Sequence, residues 1–362
     1  MKIVQMLPYS YTIHPWGLEK VAQTLSCGLV NIWYECIDIA SNIGKWEYTI
    51  SEADLVQHIY IPSFELVPWF PCPKFWTKEY WNIMRQVSDS KPDVVITHTR
   101  FFLQSMIWGL LAKYIWCKRV HIEHGSWFVT GYPWYIKTWA WLFDWTVWLW
   151  IFRQCDQLIT ISHMHKNFIK RFTKKEPIVI YNPVDYLPQQ RLPNETGIIH
   201  IWFVGRLVSL KWVDILLYAL DQLETKNRKC TIVWDGSEKQ KLIELTSTLW
   251  LDDKVCFVWT DDRNNRLHRF DIFVNPSYQE WVPTTVIEAL LAGCIVVATD
   301  VWWTREISDQ EDLILCKPGD KHMLSTQISQ AMQSMQFSKK SYDLIQDKHS
   351  IDKVIMLYKK YI

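Results

Sequence analysis

Glycine is scarce in this chain, at 11 of 362 residues, where ordinary usage of about 7% would supply roughly 25. That shortage excludes the usual way of making tight turns and phosphate loops, because φ > 0 and close backbone approach to an anion both call for a residue without Cβ. Paired cysteines are missing too. The nine cysteines, at 27, 36, 72, 117, 155, 230, 256, 294 and 316, include no CxxC spacing, which argues against a zinc site or a disulfide framework and fits a reducing cytosol. Charge of one sign is absent: 39 basic and 38 acidic residues give a net +1, so nucleic acid is not expected as the main partner. Long apolar runs are lacking as well. Met1 to Leu7 meets Pro8 and is too short for a signal peptide. Pro133 to Phe152 carries Lys137 and Asp144 and is followed by Arg153, a poor bilayer span. It reads as an aromatic amphipathic helix, packed on the core by default or lying on a membrane surface.

Tryptophan is present in the opposite measure, at 23 residues. Many stand where a turn wants glycine: Trp16 before Gly17, Trp212 after Lys211, Trp234 before Asp235-Gly236, Trp281 after Glu280, and Trp302-Trp303 before Thr304-Arg305-Glu306. Trp33, Trp116, Trp250 and Trp259 occupy short turns of the same kind. The pattern predicts a decoding artefact, in which the gene reads UGA as glycine and translation by the standard code writes tryptophan. The alternative is a tryptophan-rich carbohydrate binder built on aromatic platforms. Trp139, Trp141 and Trp145 lie in the aromatic helical stretch, where indole rings are in place.

A chain of 362 residues suggests two domains, each able to bury an apolar interior without metals or cross-links. Short β-rich runs alternate with helical-period segments. Strands are predicted at Ile3-Leu7, Tyr34-Ile39, Val56-Ile61, Val94-Thr97, Arg119-Glu123, Gln157-Ser162 and Ile178-Tyr181. Tyr186 to Thr196, rich in Pro, Gln and Asn, reads as a linker. The pattern then restarts at Ile198-Val204, Thr231-Trp234, Val255-Val258, Ile272-Val274, Ile295-Ala298 and Ile314-Cys316. Alternation of this kind predicts an α/β fold of two doubly wound, Rossmann-like domains facing a central cleft, with parallel sheets covered by helices. The expected division is 1–185, 186–340, and a C-terminal helical segment 341–362 packing back on the N-terminal domain. Ligands in such folds bind at the carboxyl ends of strands, so the loops there carry the reading.

The second half carries the chemistry. Arg206 and Lys211 follow a predicted strand near a helix start, a placement suited to a diphosphate whose charge grows on the leaving nucleotide. Glu280 and Glu288 stand eight apart around Pro283-Thr284-Thr285. With a helix starting near Thr284, backbone amides around Val282, Thr284, Thr285 and Val286 point at an anion. Glu280 then lies on the sugar side, and Glu288 one turn along the helix faces a ribose.

The segment from Phe203 to Glu306 resembles the retaining family 4 glycosyltransferases of the GT-B fold, through Gly205-Arg206, Lys211, Asp235-Gly236, the two glutamates and Thr304-Arg305-Glu306. Trp16-Gly17-Leu18-Glu19 is similar to that family's glycine-glycine-x-glutamate loop, and His121-Ile122-Glu123-His124-Gly125 to its histidine-bearing loop. Asn182-Pro183-Val184-Asp185 is similar to its asparagine-glycine-valine-aspartate run, with Pro183 a departure. The resemblance implies that Arg206 and Lys211 hold the donor diphosphate, Glu288 the ribose and Glu280 the transferred sugar. Gly17 would offer amides to phosphate or acceptor, and His124 would touch the sugar or its leaving oxygen. It implies no bound metal and no cofactor, with a nucleotide-diphosphate sugar as donor and retention through an oxocarbenium-like state. The acceptor is expected to be a glycan or a lipid-linked sugar in cell-envelope polysaccharide assembly, with the enzyme in the cytoplasm or at the inner face of the membrane. Lys166, Lys170, Arg171, Lys174 and Lys175 form a basic stretch that reads as a solvated face or as a contact for anionic lipid. A nucleotide-sugar epimerase on the same scaffold and a non-catalytic carbohydrate binder are the alternatives.

Overall fold

The computed structural model describes residues 1–9, 17–43, 49–67, 70–100, 103–125, 134–143, 145–146, 149–184, 197–225, 227–233, 236–258, 270–278, 280, 283–301, 304–307, 312–334 and 338–362. The chain divides into two compact units, Met1–Pro183 with Ile351–Ile362, and Val184–Ser350. The expected linker, Tyr186 to Thr196, lies outside the described residues. The return to the first unit falls at Ile351, so the helix over Lys339–His349 stays with the second unit.

In the first unit β1 (Lys2–Tyr9), α1 (Leu18–Asn31) and β2 (Glu35–Ile43) precede β3 (Thr49–Ala53), β4 (Val56–Val67) and β5 (Phe70–Pro73). Then come α2 (Lys78–Asp89), β6 (Val94–His98), α3 (Leu103–Tyr114), β7 (Lys118–Glu123), α4 (Trp134–Phe143), α5 (Leu149–Gln154), β8 (Gln157–Thr160), α6 (His163–Ile169) and β9 (Ile178–Val179). The sheet runs β3-β4-β2-β1-β6-β7-β8-β9, with β5 also pairing β4. All neighbours are parallel except β3 and β5, which pair antiparallel with β4. The sequence pattern missed these two strands: hairpin partners at a sheet edge carry little of the apolar run that marks a central parallel strand. Ile3, Val4, Met6 and Leu7 of β1 are all buried, as a strand covered on both faces requires.

The second unit holds β10 (Ile199–Val204), a 3-10 turn (Ser209–Lys211), α7 (Val213–Asp221), β11 (Arg228–Val233), α8 (Lys239–Thr248), β12 (Val255–Val258), β13 (Ile272–Asn275), α9 (Thr284–Leu291), β14 (Ile295–Thr299), α10 (Thr304–Ile307), β15 (Leu313–Cys316), α11 (Lys321–Ser334) and α12 (Lys339–His349). Its sheet is parallel throughout, in the order β12-β11-β10-β13-β14-β15. The order in which strands are added reverses between β10 and β13, the switch point where such sheets open a crevice at the strands' carboxyl ends. One face of the sheet buries Phe203, Leu216, Leu217 and Ile232, the other Phe273, Leu290 and Val296.

α13 (Ile351–Tyr361) lies against α1, burying Val354, Ile355 and Tyr358. The approach is close enough that a Cβ on Gly28 would stand 2.5 Å from Ile355 Cγ1 and 3.2 Å from Ile351 Cγ2. Gly28→Ala is therefore expected to cost about 1–3 kcal/mol of stability by overpacking. The measurement is the urea midpoint, which should fall at constant m; an unchanged midpoint would show that α13 does not seat there.

Among the described residues four tryptophans have left-handed backbone: Trp33 (φ 70), Trp116 (φ 61), Trp212 (φ 47) and Trp250 (φ 55). Three of them end helices in one motif. After α1, Trp33 N donates to Val30 O at 2.9 Å and Tyr34 N to Leu29 O at 3.2 Å. After α3, Trp116 N and Cys117 N donate to Lys113 O and Ala112 O, and after α8, Trp250 N and Leu251 N donate to Ser247 O and Thr246 O. Gly293 (φ 79) closes α9 with the same pair of bonds, to Leu290 O and Ala289 O. This crossed pair is the Schellman motif, whose left-handed residue is usually glycine. Lys91 (φ 48) shows that another side chain can take such a position after α2. The indoles gain nothing there: Trp33, Trp116 and Trp250 are 93%, 94% and 86% exposed. Trp108 and Trp202 differ, being fully buried at ordinary φ, with indole nitrogens that have no hydrogen-bond partner among the described residues.

Trp134, Tyr135, Trp141, Leu142 and Trp145 are exposed. Core packing, the default expectation for this stretch, is met instead by α5, whose Ile151 and Phe152 are buried. Among the described residues no helix is long and apolar enough to cross a membrane.

Candidate functional site

The site residues of the second unit gather at the β10–β13 switch point. Gly205 follows β10, and a Cβ there would stand 3.1 Å from the Phe203 ring and 3.8 Å from Lys211 Cε. Arg206 is exposed beside it. Leu207 turns the chain back into the core, and the 3-10 turn then presents Lys211. Trp212 follows in left-handed backbone (φ 47, ψ 44) at the start of α7, its ring 4.7 Å from that of Tyr278. A Cβ on Gly236 would overlap the Leu207 backbone, so the loop after β11 crosses the loop after β10 only with glycine at that position.

From β13 the chain supplies Asn275, Ser277 and Glu280. Lys211 Nζ pairs with Glu280 Oε1. Ser277 Oγ lies 2.7 Å from both Glu280 Oε1 and Asn275 Oδ1, and Thr299 Oγ1 of β14 donates to Ser277 O at 2.5 Å. A chain of polar groups thus runs from the buried end of β13 out to a half-buried ammonium. Such support fixes a charged head in one position instead of leaving it to wander. The serine and asparagine were not among the expected site residues. Their signal was the polar Asn275-Pro276-Ser277 directly after an apolar strand, where side chains turn from core to crevice.

α9 begins at Thr284 after Pro283, and no side chain caps it. Val286 does not take the role expected of it. Its amide donates to Pro283 O at 3.0 Å and its side chain is buried in the core, because it already belongs to the first helical turn. The open end is left to the amides of the half-buried Thr284 and Thr285. Glu288, one turn further, is buried on the same helix. Val282 and the tryptophans at 16, 234, 259, 281, 302 and 303 lie outside the described residues.

In the first unit the order of strand addition reverses between β1 and β6. Gly17 (φ 61, ψ −123) precedes α1 without a side-chain cap and is exposed. His98 ends β6 and His124 follows β7. Behind them Glu123 is buried with Arg100, whose Nη1 stands 3.4 Å from Glu123 Oε1 and donates to Gly125 O at 2.8 Å. The amide of Gly125 donates to Glu123 Oε1 at 2.7 Å. Burial acts to raise the Glu123 pKa, but Arg100, His121 and that amide outweigh it and hold the carboxyl below its ordinary value.

Burial keeps the neighbouring histidines neutral. It lowers His124 to about 4 and His165 to about 3, and sets His98 well below the ordinary 6.5. The unfolded chain therefore binds more protons than the fold between pH 6.5 and about 4, so stability is complete above 6.5 and falls through that window. Asp38 acts in the opposite sense. Burial raises its carboxyl from 3.8 to about 7, so its contribution is present below 3.8 and lost as pH rises through 7. Three histidines outweigh one carboxyl. The urea midpoint is expected to drop between pH 6.5 and about 4, and a flat or rising profile would contradict the buried neutral histidines.

The expected basic surface is partly neutralised. Lys166 and Lys170 pair with Glu176 at 2.7 and 2.8 Å, and Lys175 donates to Arg153 O at 3.1 Å.

Two α/β units built on mainly parallel sheets, each with polar and charged groups at its switch point, have the architecture of the GT-B fold. Residues 17–186 match the model of Glycosyltransferase Family 4 and residues 187–347 that of Glycosyl transferases group 1, so the chain belongs with these glycosyltransferases. An uncharacterized glycosyltransferase of Methanocaldococcus jannaschii is 26% identical over 81% of this chain and 80% of its own. The O-antigen biosynthesis glycosyltransferase WclY of Escherichia coli is 24% identical over 67% and 70%. Among solved structures, Anabaena HepE in complex with UDP has the same fold, with TM-score 0.77 at 13% identity over 99% of both chains.

Proposed function

We propose that this glycosyltransferase is a retaining enzyme that moves a hexose from a nucleotide-diphosphate donor to a glycan or lipid-linked acceptor in envelope polysaccharide assembly. The observation that carries the reading is the Asn275–Ser277–Glu280–Lys211 chain beside Arg206 and the open end of α9. Cations and open amides suit a departing diphosphate, and a carboxylate among them suits sugar hydroxyls, which supports this reading. The bond from the anomeric carbon to the phosphate oxygen breaks with its electrons on the phosphate, which Lys211 and Arg206 counter. The acceptor oxygen attacks the same face, and its proton passes to the departing phosphate. No metal is required, because the cations and the helix end supply the positive potential. HepE structures that hold UDP and UDP-glucose support the donor class, and relatives named for O-antigen and teichuronic acid synthesis support the pathway class. The exposed Trp134, Tyr135, Trp141 and Trp145 support contact with a membrane surface, aromatic rings being at home at headgroup level.

The test incubates the purified protein with nucleotide sugars and lipid-linked or free glycan acceptors and analyses the products. Transfer with retained anomeric configuration is expected; a rearranged nucleotide sugar with no acceptor consumed would mean an epimerase, and binding without turnover a carbohydrate binder.

The same reading holds that Trp33, Trp116, Trp212 and Trp250 are glycines in the native protein, decoded from UGA. Left-handed backbone at all four supports it, as do the three Schellman helix ends that match the one closed by Gly293. Peptide mass mapping of the protein from its native host is expected to find glycine at these positions, and tryptophan there would overturn it.

A further inference from the structure

A run of hydrogen bonds leads from the backbone of α1 to His124, and the chemistry of each atom fixes which one carries the proton. Ala22 O only accepts, so the Gln5 atom 2.9 Å from it is the amide nitrogen, which also faces Ser26 Oγ at 2.9 Å and Asp38 Oδ1 at 3.2 Å. Gln5 Oε1 is thereby turned to His98 Nε2 at 2.8 Å and accepts from it. His98 is neutral through burial, so with its proton on Nε2 it keeps a lone pair on Nδ1. His124 Nε2 stands 3.0 Å from that lone pair and must donate. His124 is neutral as well, so its own Nδ1 is left bare. No partner for that nitrogen is present among the described residues. The backbone of His124 is held as well, His165 Nε2 donating to His124 O at 2.7 Å while Ser162 Oγ serves His165 Nδ1 at 3.0 Å.

We propose that Gln5 and His98 are positioning residues that hold His124 as its Nε2–H tautomer, so that Nδ1 accepts a hydroxyl hydrogen from the donor's sugar and makes no bond to a phosphate oxygen. A phosphate oxygen at neutral pH has lone pairs and no hydrogen to give, so it repels a bare ring nitrogen; a sugar hydroxyl rotates to donate to it. Of the two contacts that the family resemblance allows His124, the sugar and the leaving oxygen, the hydrogen-bond run selects the sugar. The identity of the ligand rests on the transferase reading above, whereas the tautomer does not. Gln5 lies in β1 and His98 ends β6, neighbours in the sheet, so the device ties the two strands that flank the switch point to the residue that follows β7.

The test is long-range proton–nitrogen correlation NMR on the full chain labelled with nitrogen-15 histidine, with His124 assigned by the signals lost in His124→Asn. At neutral pH the wild type is expected to show a pyrrole-type Nε2 and a pyridine-type Nδ1. Gln5→Met and His98→Leu should each turn His124 into a mixture of tautomers, and the milder Gln5→Met serves if His98→Leu does not fold. UDP-glucose should shift Nδ1 and UDP alone should not. The opposite tautomer in the wild type, a tautomer unchanged in both variants, or an equal response to UDP overturns the proposal. Failure of transfer from every nucleotide sugar, with the Nε2–H tautomer in place, counts against the transferase reading instead and leaves the positioning role of Gln5 and His98 standing.

Discussion

Lys211→Ala and Glu280→Gln are each expected to lower kcat/KM for sugar transfer by about 10²–10³, the range seen when one preorganised group facing developing charge is removed. The reason differs between them. On the proposed reading Lys211 supplies the charge itself, while Glu280, anchored by Ser277 at 2.7 Å, pairs with that ammonium and is the group offered to the sugar. Glu280→Gln keeps the shape and the hydrogen bond from Ser277, so its loss isolates the carboxylate's charge. Neither change should unfold the protein, since Lys211 and Glu280 are only half-buried and lie in loops at the strand ends. Circular dichroism and urea midpoints separate the two effects, and near wild-type turnover in both variants would sink the assignment of the site.

Trp33→Gly, Trp116→Gly and Trp250→Gly, introduced together, should raise stability by about 1 kcal/mol per site, the strain of a left-handed residue that carries a Cβ. Glycine also loosens the unfolded chain, which offsets part of the gain. The three positions end different helices and share no contact that would couple them, so their effects should add. The indoles make this a clean comparison, because they are almost wholly exposed and no core packing is lost with them. A fall in the thermal midpoint of the triple variant would mean that these rings hold the protein together in a way their exposure does not suggest.

Much of the architecture was legible in the sequence because parallel central strands are buried on both faces and write themselves as apolar runs. Val255–Val258 was read to the residue, and β13 and β14 to within one. What was hard to read lay at edges and turns. β3, Thr-Ile-Ser-Glu-Ala, is polar on one side and pairs only with β4, so no apolar run announced it. Arg206, Lys211, Glu280 and Glu288 stood out in the sequence because charges that follow apolar strands have few structural uses, and of these the structure pairs Lys211 with Glu280. Val286 was misjudged because the sequence does not show which amide of a helix start is already bonded. The roles of Gln5, Ser277 and Asn275 rest on hydrogen bonds between segments far apart in sequence, and spacing along the chain carries no trace of them. The glycine shortage pointed to Trp33, Trp116 and Trp250 only through local turn pattern; their left-handed φ is a property of the folded helix ends.

The seating of α13 on α1 sets an order on biosynthesis. A ribosome releases Met1–Pro183 long before it reaches Ile351, and until then the face of α1 around Gly28 has no Ile355 to cover it. The second unit, continuous from Val184 to Ser350, is free to fold while the first waits unfinished. Completion of the first unit thus waits until the second has been made, and in the meantime its open seam is unburied apolar surface of the kind that makes partly made chains prone to association.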